Sequence, residues 1–321
     1  MNSHPYTIQS PILFLVFNRP DKTSRVFEEI KAAKPSRLYI SADGPRTGNT
    51  EDLRLCNTVR AIVTNIDWPC KVKTKFNLEN KGCKMAVSSA ISWFFEQETE
   101  GIVLEDDCLP APAFFNFCDN LLEKYRNDTR IFCITGFNAQ QGRQRGEASY
   151  YFSQISNIWG WASWRRVWKL YDPDLSRHTN EHALRFLQNN FQDPLLISEW
   201  MGIFEQLKEG KIDTWDHQFH FLSFFENGLC IVPNVNLISN IGFGPDATHT
   251  LNPEDQNVNQ ALGELNTLLH PVLVIPDKEA DYFLLNNEFR LDEKRLKIQK
   301  DQLPRQRFKK WFRDLFKKNK S

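Results

Sequence analysis

Hydrophobic residues in the first half of the chain form short continuous runs that alternate with longer amphipathic stretches. The runs predict strands at Ile12–Phe17, Arg37–Ala42, Lys71–Phe76, Gly101–Glu105 and Arg130–Ile134. The stretches between them predict helices at Lys22–Ala33, Glu51–Asn65, Cys83–Gln97 and Ala111–Arg126. Continuous apolar strands in this order predict an open α/β sheet that is largely parallel and covered on both faces. Such sheets bind ligands outside the carboxyl ends of their strands.

The second half of the chain has a less regular pattern. A polar stretch leads into a short predicted strand at Tyr150–Gln154, and a cluster of tryptophans follows at Ile158–Trp168. Further periodicity predicts three helices and then a strand, at about 181–190, 195–209, 215–226 and Leu229–Val232. We therefore expect one α/β domain over residues 1–250, a helical extension at 251–303 and a basic amphipathic tail at 304–321.

Composition is that of an ordinary globular protein. The 321 residues are 41% hydrophobic and 25% charged, which excludes wholesale disorder. The first apolar run, Ile12–Phe17, is far shorter than a membrane span and lacks the flanks of a signal peptide. The seven cysteines form no CxxC pair, and an odd number without a secretory signal indicates reduced thiols. These features predict a cytoplasmic protein.

Polar side chains follow several of the predicted strands. Asn18-Arg19-Pro20 comes after the first, where an arginine beside a helix N-terminus can hold an anion or simply face solvent. Asp43-Gly44 comes after the second, where the carboxylate can accept from a base N–H or a ribose hydroxyl, or can simply form a turn. Glu105-Asp106-Asp107 comes after the fourth, and adjacent carboxylates there need solvent or a divalent cation to compensate their charge. Oxygen ligands of this kind suit Mg²⁺ or Mn²⁺.

Two residues of the second half are candidates for the same site. Asp216 stands at the start of a predicted helix, where an acid serves either as a general base or as a helix-stabilising residue. His249 ends a loop that contains two glycines, and it is a candidate ligand for a metal or a phosphate. A solvated loop histidine is the alternative.

The tryptophan cluster allows two interpretations. Trp159 and Trp161 flank a glycine, where flat rings can form a platform for the face of a sugar. Trp164 and Trp168 have helical spacing, which predicts that they belong to the core. The first pair is therefore a candidate acceptor site, and the second pair is not.

The order of these motifs is more specific than any one of them. It resembles the order in nucleotide-diphospho-sugar transferases of the GT-A fold, in particular the N-acetylglucosaminyltransferase I type and its bacterial relatives. The resemblance spans roughly residues 10–250 and six motifs: Asn18-Arg19-Pro20, Asp43-Gly44, Glu105-Asp106-Asp107, Trp159-Gly160-Trp161, Trp215-Asp216 and Gly242…His249. It implies a GT-A, Rossmann-like α/β fold, with a mixed and mostly parallel sheet flanked by helices.

The resemblance also implies which residues bind the nucleotide sugar. Arg19, next to Asn18, would contact the diphosphate, and Asp43 would bind the base. Glu105 and Asp106 would lie near the ribose and the transferred sugar.

The remaining matched residues would take part in the transfer itself. Asp107 would be the direct ligand of Mn²⁺ or Mg²⁺, and His249 would complete its shell. Asp216 would be the catalytic base, while Trp159 and Trp161 would contact the acceptor.

On this resemblance we expect a metal-dependent, inverting glycosyltransferase. It would move a sugar from a nucleotide diphosphate, with a UDP-sugar as the first choice, to a hydroxyl of a glycan or glycolipid. The Gly242–His249 loop would close over the nucleotide and exclude water. The eukaryotic enzymes carry an N-terminal membrane anchor that this sequence lacks, which favours bacterial surface polysaccharide synthesis.

Two other functions compete with this expectation. The first is a non-catalytic nucleotide-sugar or carbohydrate-binding protein of the same fold, which would have no need of a base such as Asp216. The second is a sugar nucleotidyltransferase, which would normally carry a glycine-rich loop after the first strand, and residues 17–20 are not such a loop.

The C-terminal tail, residues 304–321, differs from the rest of the chain. It holds eight basic side chains against one acid, so the remaining chain has a formal charge of about −7 although the whole is neutral. Its apolar side chains share one face of a predicted helix: Phe308, Trp311, Phe312, Leu315 and Phe316. This pattern predicts that the tail binds an anionic membrane surface, namely the inner face of the cytoplasmic membrane. The alternative is that its apolar face docks on the domain itself. No nucleic-acid partner is expected, since no reading fold accompanies the patch.

Overall fold

A computed structural model describes residues 8–242 and 260–300 of the chain. Its first half contains β1 (Ile12–Val16), α1 (Pro20–Ala33), β2 (Arg37–Ala42), α2 (Thr50–Thr64), β3 (Lys71–Phe76), α3 (Cys83–Gln97), β4 (Glu100–Glu105), β5 (Cys108–Pro110), α4 (Pro112–Lys124) and β6 (Ile131–Thr135). Every strand and helix predicted up to residue 135 is present, and its bounds agree with the prediction to within two residues. The short strand β5 is an addition.

The second half contains β7 (Tyr150–Ser153), β8 (Trp161–Trp164), α5 (Arg165–Trp168), α6 (Asn180–Asn190), α7 (Pro194–Lys208), α8 (Asp216–Phe225), β9 (Leu229–Pro233), β10 (Ile238–Asn240) and α9 (Lys278–Glu288). The three predicted helices are confirmed as α6, α7 and α8. In the predicted extension, α9 and residues 291–300 are helical, whereas residues 260–277 contain no helix. None of the helices in the described ranges is long and apolar enough to cross a membrane.

The strands form one eight-stranded sheet in the order β3-β2-β1-β4-β8-β6-β9-β7. The first four are parallel neighbours, and β6 pairs in parallel with β9. Strand β8 is antiparallel to both β4 and β6, and β7 is antiparallel to β9. This mixed, mostly parallel sheet flanked by helices confirms the predicted fold class. The carboxyl ends of β1, β2 and β4 therefore meet at one edge.

The turn from β1 into α1 shows how the local sequence positions this edge. All five residues of β1 are buried, as its continuous apolar pattern requires. Pro20 opens α1, where its fixed φ suits a first helical turn and its missing N–H costs no hydrogen bond. Helix α1 then packs through Thr23, Val26, Phe27 and Ile30. The residues between β1 and α1 are thereby fixed at the sheet edge.

The tryptophan cluster forms strand β8 and the core beside it. Trp164 and Trp168 are buried, as predicted, although Trp164 ends a strand instead of sharing a helix with Trp168. Trp161 is fully buried and stacks on Trp215, with 5.7 Å between ring centroids. Removing a ring of this kind from a core costs on the order of 3–5 kcal/mol. The segment ending in Trp215 is thus attached to the centre of the sheet.

Candidate active site

A cleft of about 600 Å³ opens at the carboxyl ends of β1, β2 and β4. Segments from the second half of the chain close its other sides. The residues from the sequence analysis that line it are Arg19, Asp43, Glu105, Asp106, Asp107, Trp159, Asp216 and Gly242. The cleft therefore lies where the strand-end rule predicts a ligand site, and most of the motifs that are distant in sequence converge there.

Asp43 is fully engaged by its own surroundings. Both oxygens accept hydrogen bonds, and a Cβ on Gly44 would overlap the backbone of Glu79, so residues 77–82 pack directly against this turn. The donors are the Gly44 N–H (2.8 Å), Asn77 Nδ2 (3.0 Å), Asn80 Nδ2 (2.9 Å) and the Lys81 N–H (3.1 Å). The visible role of Asp43 is to hold this loop at the cleft.

Asn18 has a structural partner and does not line the cleft. Its side-chain amide donates a 2.8 Å hydrogen bond to Asp52, a buried residue in the first turn of α2. The expected contact between Asn18 and a nucleotide sugar therefore finds no support in this geometry. The strand-end position was correct, but the amide turns away from the cleft to hold α2.

Arg46 lines the cleft and is held by Asp52, and the sequence analysis named neither residue. Nε and Nη2 of Arg46 both donate to the Asp52 carboxylate, the latter at 2.8 Å, and Arg46 lines the cleft. The hydrogen bond from Arg46 lowers the pKa of Asp52 to about 2, against the opposing effect of burial. The available signal was the position of Arg46, three residues after Asp43 in the same strand-end loop.

The acidic turn after β4 is neutralised in part by Arg19. Nη1 of Arg19 lies 2.6 Å from Oδ2 of Asp107 and 3.3 Å from Oδ1 of Asp106. The other Asp106 oxygen accepts from the backbone N–H of Phe17 at 3.3 Å. Arg19 is thus placed at the predicted anion site, but in this structure it contacts carboxylates.

One guanidinium does not compensate all the charge at this turn. Burial, followed by the charges of Asp107, Asp106 and Asp216, raises the pKa of Glu105 to about 8. Burial also raises the pKa of Asp106 to about 6, although Arg19 opposes it. Ionised carboxylates are therefore disfavoured here until a cationic partner arrives.

The acidic turn offers one carboxylate, that of Asp107, to a hard divalent cation. Among the described residues no group of three or more His, Cys, Asp or Glu side chains is arranged to hold a metal. Ions such as Mg²⁺, however, are usually bound by one or two carboxylates together with substrate phosphates. Asp107 matches that description, with one oxygen on Arg19. The second expected ligand, His249, lies outside the described residues.

Gly242 allows the chain to approach the acidic turn closely. A Cβ at this position would overlap Oδ2 of Asp107. The approach is fixed by the pairing of β5 with β10 and by a 2.8 Å bond from the Ile241 N–H to the Asp107 carbonyl. Residues 243–249 of the predicted nucleotide loop lie outside the described residues. The described chain brings the start of that loop onto Asp107.

Asp216 stands across the cleft, at the first residue of α8. Its Oδ1 accepts from the Thr214 hydroxyl and, at 2.7 Å, from the His217 N–H. Burial opposes ionisation, but His217 and the Thr214 hydrogen bond outweigh it and lower the pKa of Asp216. Its Oδ2 accepts no hydrogen bond from the described residues. An ionised carboxylate with one oxygen available is suited to receive a proton from a ligand hydroxyl.

The two candidate acceptor tryptophans have different environments. Trp159 lines the cleft and lies 4.5 Å from the ring of Phe137, centroid to centroid. Trp161 is fully buried in β8, so the expectation that its ring contacts a sugar is wrong for this structure. Trp159 lies outside β8 and is separated from Trp161 by Gly160, whose φ of 56° breaks the extended backbone, so the two rings take different directions and only Trp159 reaches the cleft.

Comparison with known proteins adds little to this geometry. No protein-family model and no curated protein matches the chain. Solved structures that resemble it include apo UDP-glucose pyrophosphorylase, at 11% identity and a TM-score of 0.38, over 73% of this chain and 93% of that one. Inositol-1-phosphate CTP transferase from T. maritima is 9% identical, with a TM-score of 0.36, over 77% of this chain and 93% of that one. Scores this low carry no inference about activity.

Proposed function

We propose that the chain is a nucleotide-sugar-dependent glycosyltransferase of the GT-A type. The observation that carries the proposal is the meeting of Asp43, the Glu105–Asp107 turn and Asp216 in one cleft. The first two stand at the carboxyl ends of parallel strands, where open α/β sheets bind their ligands. The third faces them with an available carboxylate oxygen. A binding protein would need the acidic turn, and the loop that Asp43 holds, but would have no use for a base.

In the proposed reaction Asp216 acts as the general base. The acceptor hydroxyl attacks the anomeric carbon of the donor sugar while its proton moves to Oδ2 of Asp216. The bond between that carbon and the diphosphate oxygen breaks, and the nucleoside diphosphate leaves with the electron pair. A single displacement of this kind inverts the anomeric configuration. Positioned general bases contribute on the order of 10²–10⁴-fold to such steps.

Around the leaving group, Arg19 and Asp107 have complementary tasks. Arg19 lies at the end of β1 and supplies positive charge beside the acidic turn. Asp107 would hold Mn²⁺ or Mg²⁺, which when bound would act as a Lewis acid on the diphosphate. Glu105 and Asp106 line the cleft beside them and would meet the sugar and the ribose. Trp159 would offer its ring to the acceptor.

The setting we propose is bacterial surface polysaccharide synthesis. The acceptor would be a glycan or a lipid-linked glycan. The catalytic domain would span residues 1–250, followed in sequence by the helical extension and the basic tail. The tail, 304–321, would bind anionic lipid at the inner face of the cytoplasmic membrane, since its net charge is strongly positive. Deleting residues 304–321 should release the protein from anionic vesicles, whereas unchanged sedimentation would contradict the membrane assignment.

A panel of nucleotide sugars tests the central proposal. Thermal unfolding is measured with each sugar, with and without Mn²⁺, because a ligand that binds the folded state raises its stability. One donor should stabilise the protein in a Mn²⁺-dependent manner and should then be consumed when glycan acceptors are added. Stabilisation without any transfer would favour the non-catalytic binding protein. Absence of stabilisation by every member would contradict both.

A further inference from the structure

The balance of charge in the cleft is strongly acidic. Among the described residues that line it, six are acids: Asp43, Glu105, Asp106, Asp107, Asp213 and Asp216. Of the cleft-lining residues in the described ranges, only Arg19 and Arg46 carry positive charge. A nucleotide brings further negative charge, so each guanidinium matters for its binding. Arg19 already lies between two carboxylates, which directs attention to Arg46.

The guanidinium of Arg46 is held in a fixed plane but is only partly used. Nε and Nη2 make a two-pronged contact with Asp52, and the guanidinium carbon lies 5.9 Å from the ring centre of Phe17. Nη1 donates no hydrogen bond to any described residue. The side chain is 59% exposed although its partner carboxylate is 3% exposed. Arg46 therefore presents a directed, unused pair of donors at the cleft.

Asp52 is well placed to set that direction. It lies in the first turn of α2, and its carboxylate also accepts from Asn18 Nδ2 at 2.8 Å and from the Arg46 N–H at 3.3 Å. The helix start is itself capped by Asn49, whose side chain accepts from the Asp52 N–H at 3.0 Å. A buried carboxylate fixed from three sides leaves its arginine partner little rotational freedom.

We propose that Arg46 binds a phosphate of the nucleotide donor and that Asp52 is the residue that positions it. Two nitrogens of Arg46 rest on Asp52, and Nη1 remains for a phosphate oxygen. Guanidinium donors in a fixed fork match phosphate geometry better than a flexible amine does. This inference rests on the proposed function, since it assumes a nucleotide in the cleft, and it adds two residues to that site.

The test measures the affinity of the full chain for UDP by calorimetry. Arg46→Ala should weaken UDP binding about tenfold to a hundredfold, the usual effect of losing hydrogen bonds to a charged group. Arg46→Lys should retain part of the affinity, because it keeps the charge but not the fork. Binding of uridine, which has no phosphate, should not change. Arg54→Ala on the exposed face of α2 is the matched control and should bind UDP as the wild type does.

A double-mutant cycle tests the positioning role of Asp52. Asp52→Asn should weaken UDP binding about threefold to tenfold in the wild type and have no effect in the Arg46→Ala background. Arg46→Ala leaves the buried carboxylate of Asp52 unpaired, and the double variant removes that charge. Thermal unfolding of the single and double variants therefore shows whether a loss of binding comes from a folding defect. A merely structural role would give the same loss in both backgrounds.

Each contrary result has a defined meaning. If Arg46→Ala binds UDP as tightly as the wild type does, the phosphate contact is overturned. If the variant loses as much affinity for uridine as for UDP, Arg46 contacts the nucleoside instead. Equal losses from Asp52→Asn in both backgrounds would overturn its positioning role. If the wild type binds none of UDP, CDP, GDP and ADP, the proposed function itself fails, which is a separate outcome.

Discussion

The two sides of the cleft treat their carboxylates in opposite ways. On the β2 side, formed by Asp43, Arg46 and Asp52, the acids accept hydrogen bonds from side chains and backbone of the same chain. The pKa of Asp52 is lowered to about 2 there, chiefly by its hydrogen bond with Arg46. At the Glu105–Asp107 turn on the β4 side, and at Asp216 across the cleft, the carboxylate oxygens outnumber the donors that the described residues supply, and burial raises the pKa of Glu105 to about 8.

The difference indicates a division of labour. A carboxylate whose oxygens all accept hydrogen bonds from the protein stabilises the loop around it and has no acceptor left for a ligand. A carboxylate with an oxygen that accepts no hydrogen bond can still bind a cation or a proton, which a ligand or a reaction can supply. We therefore expect substitutions in the acidic turn and at Asp216 to change chemistry and ligand binding, and those on the β2 side to change stability and donor placement.

The largest effect is expected from Asp216→Asn. The amide keeps an oxygen for the Thr214 hydroxyl but cannot take up a proton, so transfer should fall about 10²–10⁴-fold. Donor affinity should stay within about twofold, since the loss concerns only the transition state. Steady-state transfer rates and calorimetric donor affinities measure the two quantities. Asp174→Asn, whose side chain is 75% exposed and does not line the cleft, is the control and should transfer as the wild type does. An equal loss of donor affinity in Asp216→Asn would make Asp216 a binding residue.

Asp107→Ala should remove the Mn²⁺-dependent part of donor binding. Outer partners of metal ligands typically contribute 10–100-fold, so a direct ligand should cost at least about tenfold in affinity. A chelator should lower the wild type to the same level, and should leave the variant unchanged. Donor titrations with and without Mn²⁺ give both values. A variant that still responds to Mn²⁺ would show that Asp107 is not the ligand.

Asp43→Asn should weaken the fold more than the chemistry. One oxygen becomes an NH₂ group that faces the donors of Asn80 and Lys81, and a buried mismatch of this kind costs about 1–3 kcal/mol. Chemical denaturation measures the free energy of unfolding. Asp67→Asn, where the side chain is 59% exposed, is the control and should change it by less than about 0.5 kcal/mol. Equal effects of the two would contradict the structural role of Asp43.

Asp52→Asn should destabilise the fold in a pH-dependent manner. The folded pKa of about 2 lies below the ordinary value of 3.8, so the carboxylate stabilises the fold above about pH 4 and loses that contribution as the pH falls toward 2. The loss at neutral pH should be on the order of 1–2 kcal/mol. Urea unfolding at pH 7, 4 and 3 should show the gap between wild type and variant narrowing. A gap of constant size would mean that Asp52 acts through packing and not through charge.

The sequence predicted the parts of this molecule that are periodic and local. Continuous apolar runs such as Ile12–Val16 gave the parallel strands, and their ends gave Arg19, Asp43 and the acidic turn. Strand β8 was missed because tryptophans and an arginine pair at Ile158–Trp168 read as a helix or a platform. Trp161 is buried in a central strand under Trp215 and Phe219, which are distant in sequence.

The same limit explains the errors within the site. Asn18 and Asp52 are 34 residues apart and meet only after β1 and β2 have paired. Arg46 reads as a surface residue of a turn until its buried partner is known. Arg46 and Asp52 are close in sequence, but their contact depends on how the start of α2 docks beside the loop after β2.

The position of β8 has a consequence for how the protein folds during synthesis. Strands β1 to β4 are complete once residue 105 has left the ribosome, but β4 is then an edge strand with unpaired backbone groups. Its second neighbour, β8, arrives only at Trp161–Trp164, and Val103 pairs directly with Trp161. The early block of parallel strands therefore waits about 56 residues for its partner, roughly 3–11 s at ordinary translation rates. The acidic turn at the end of β4 is placed in its final surroundings only after that delay.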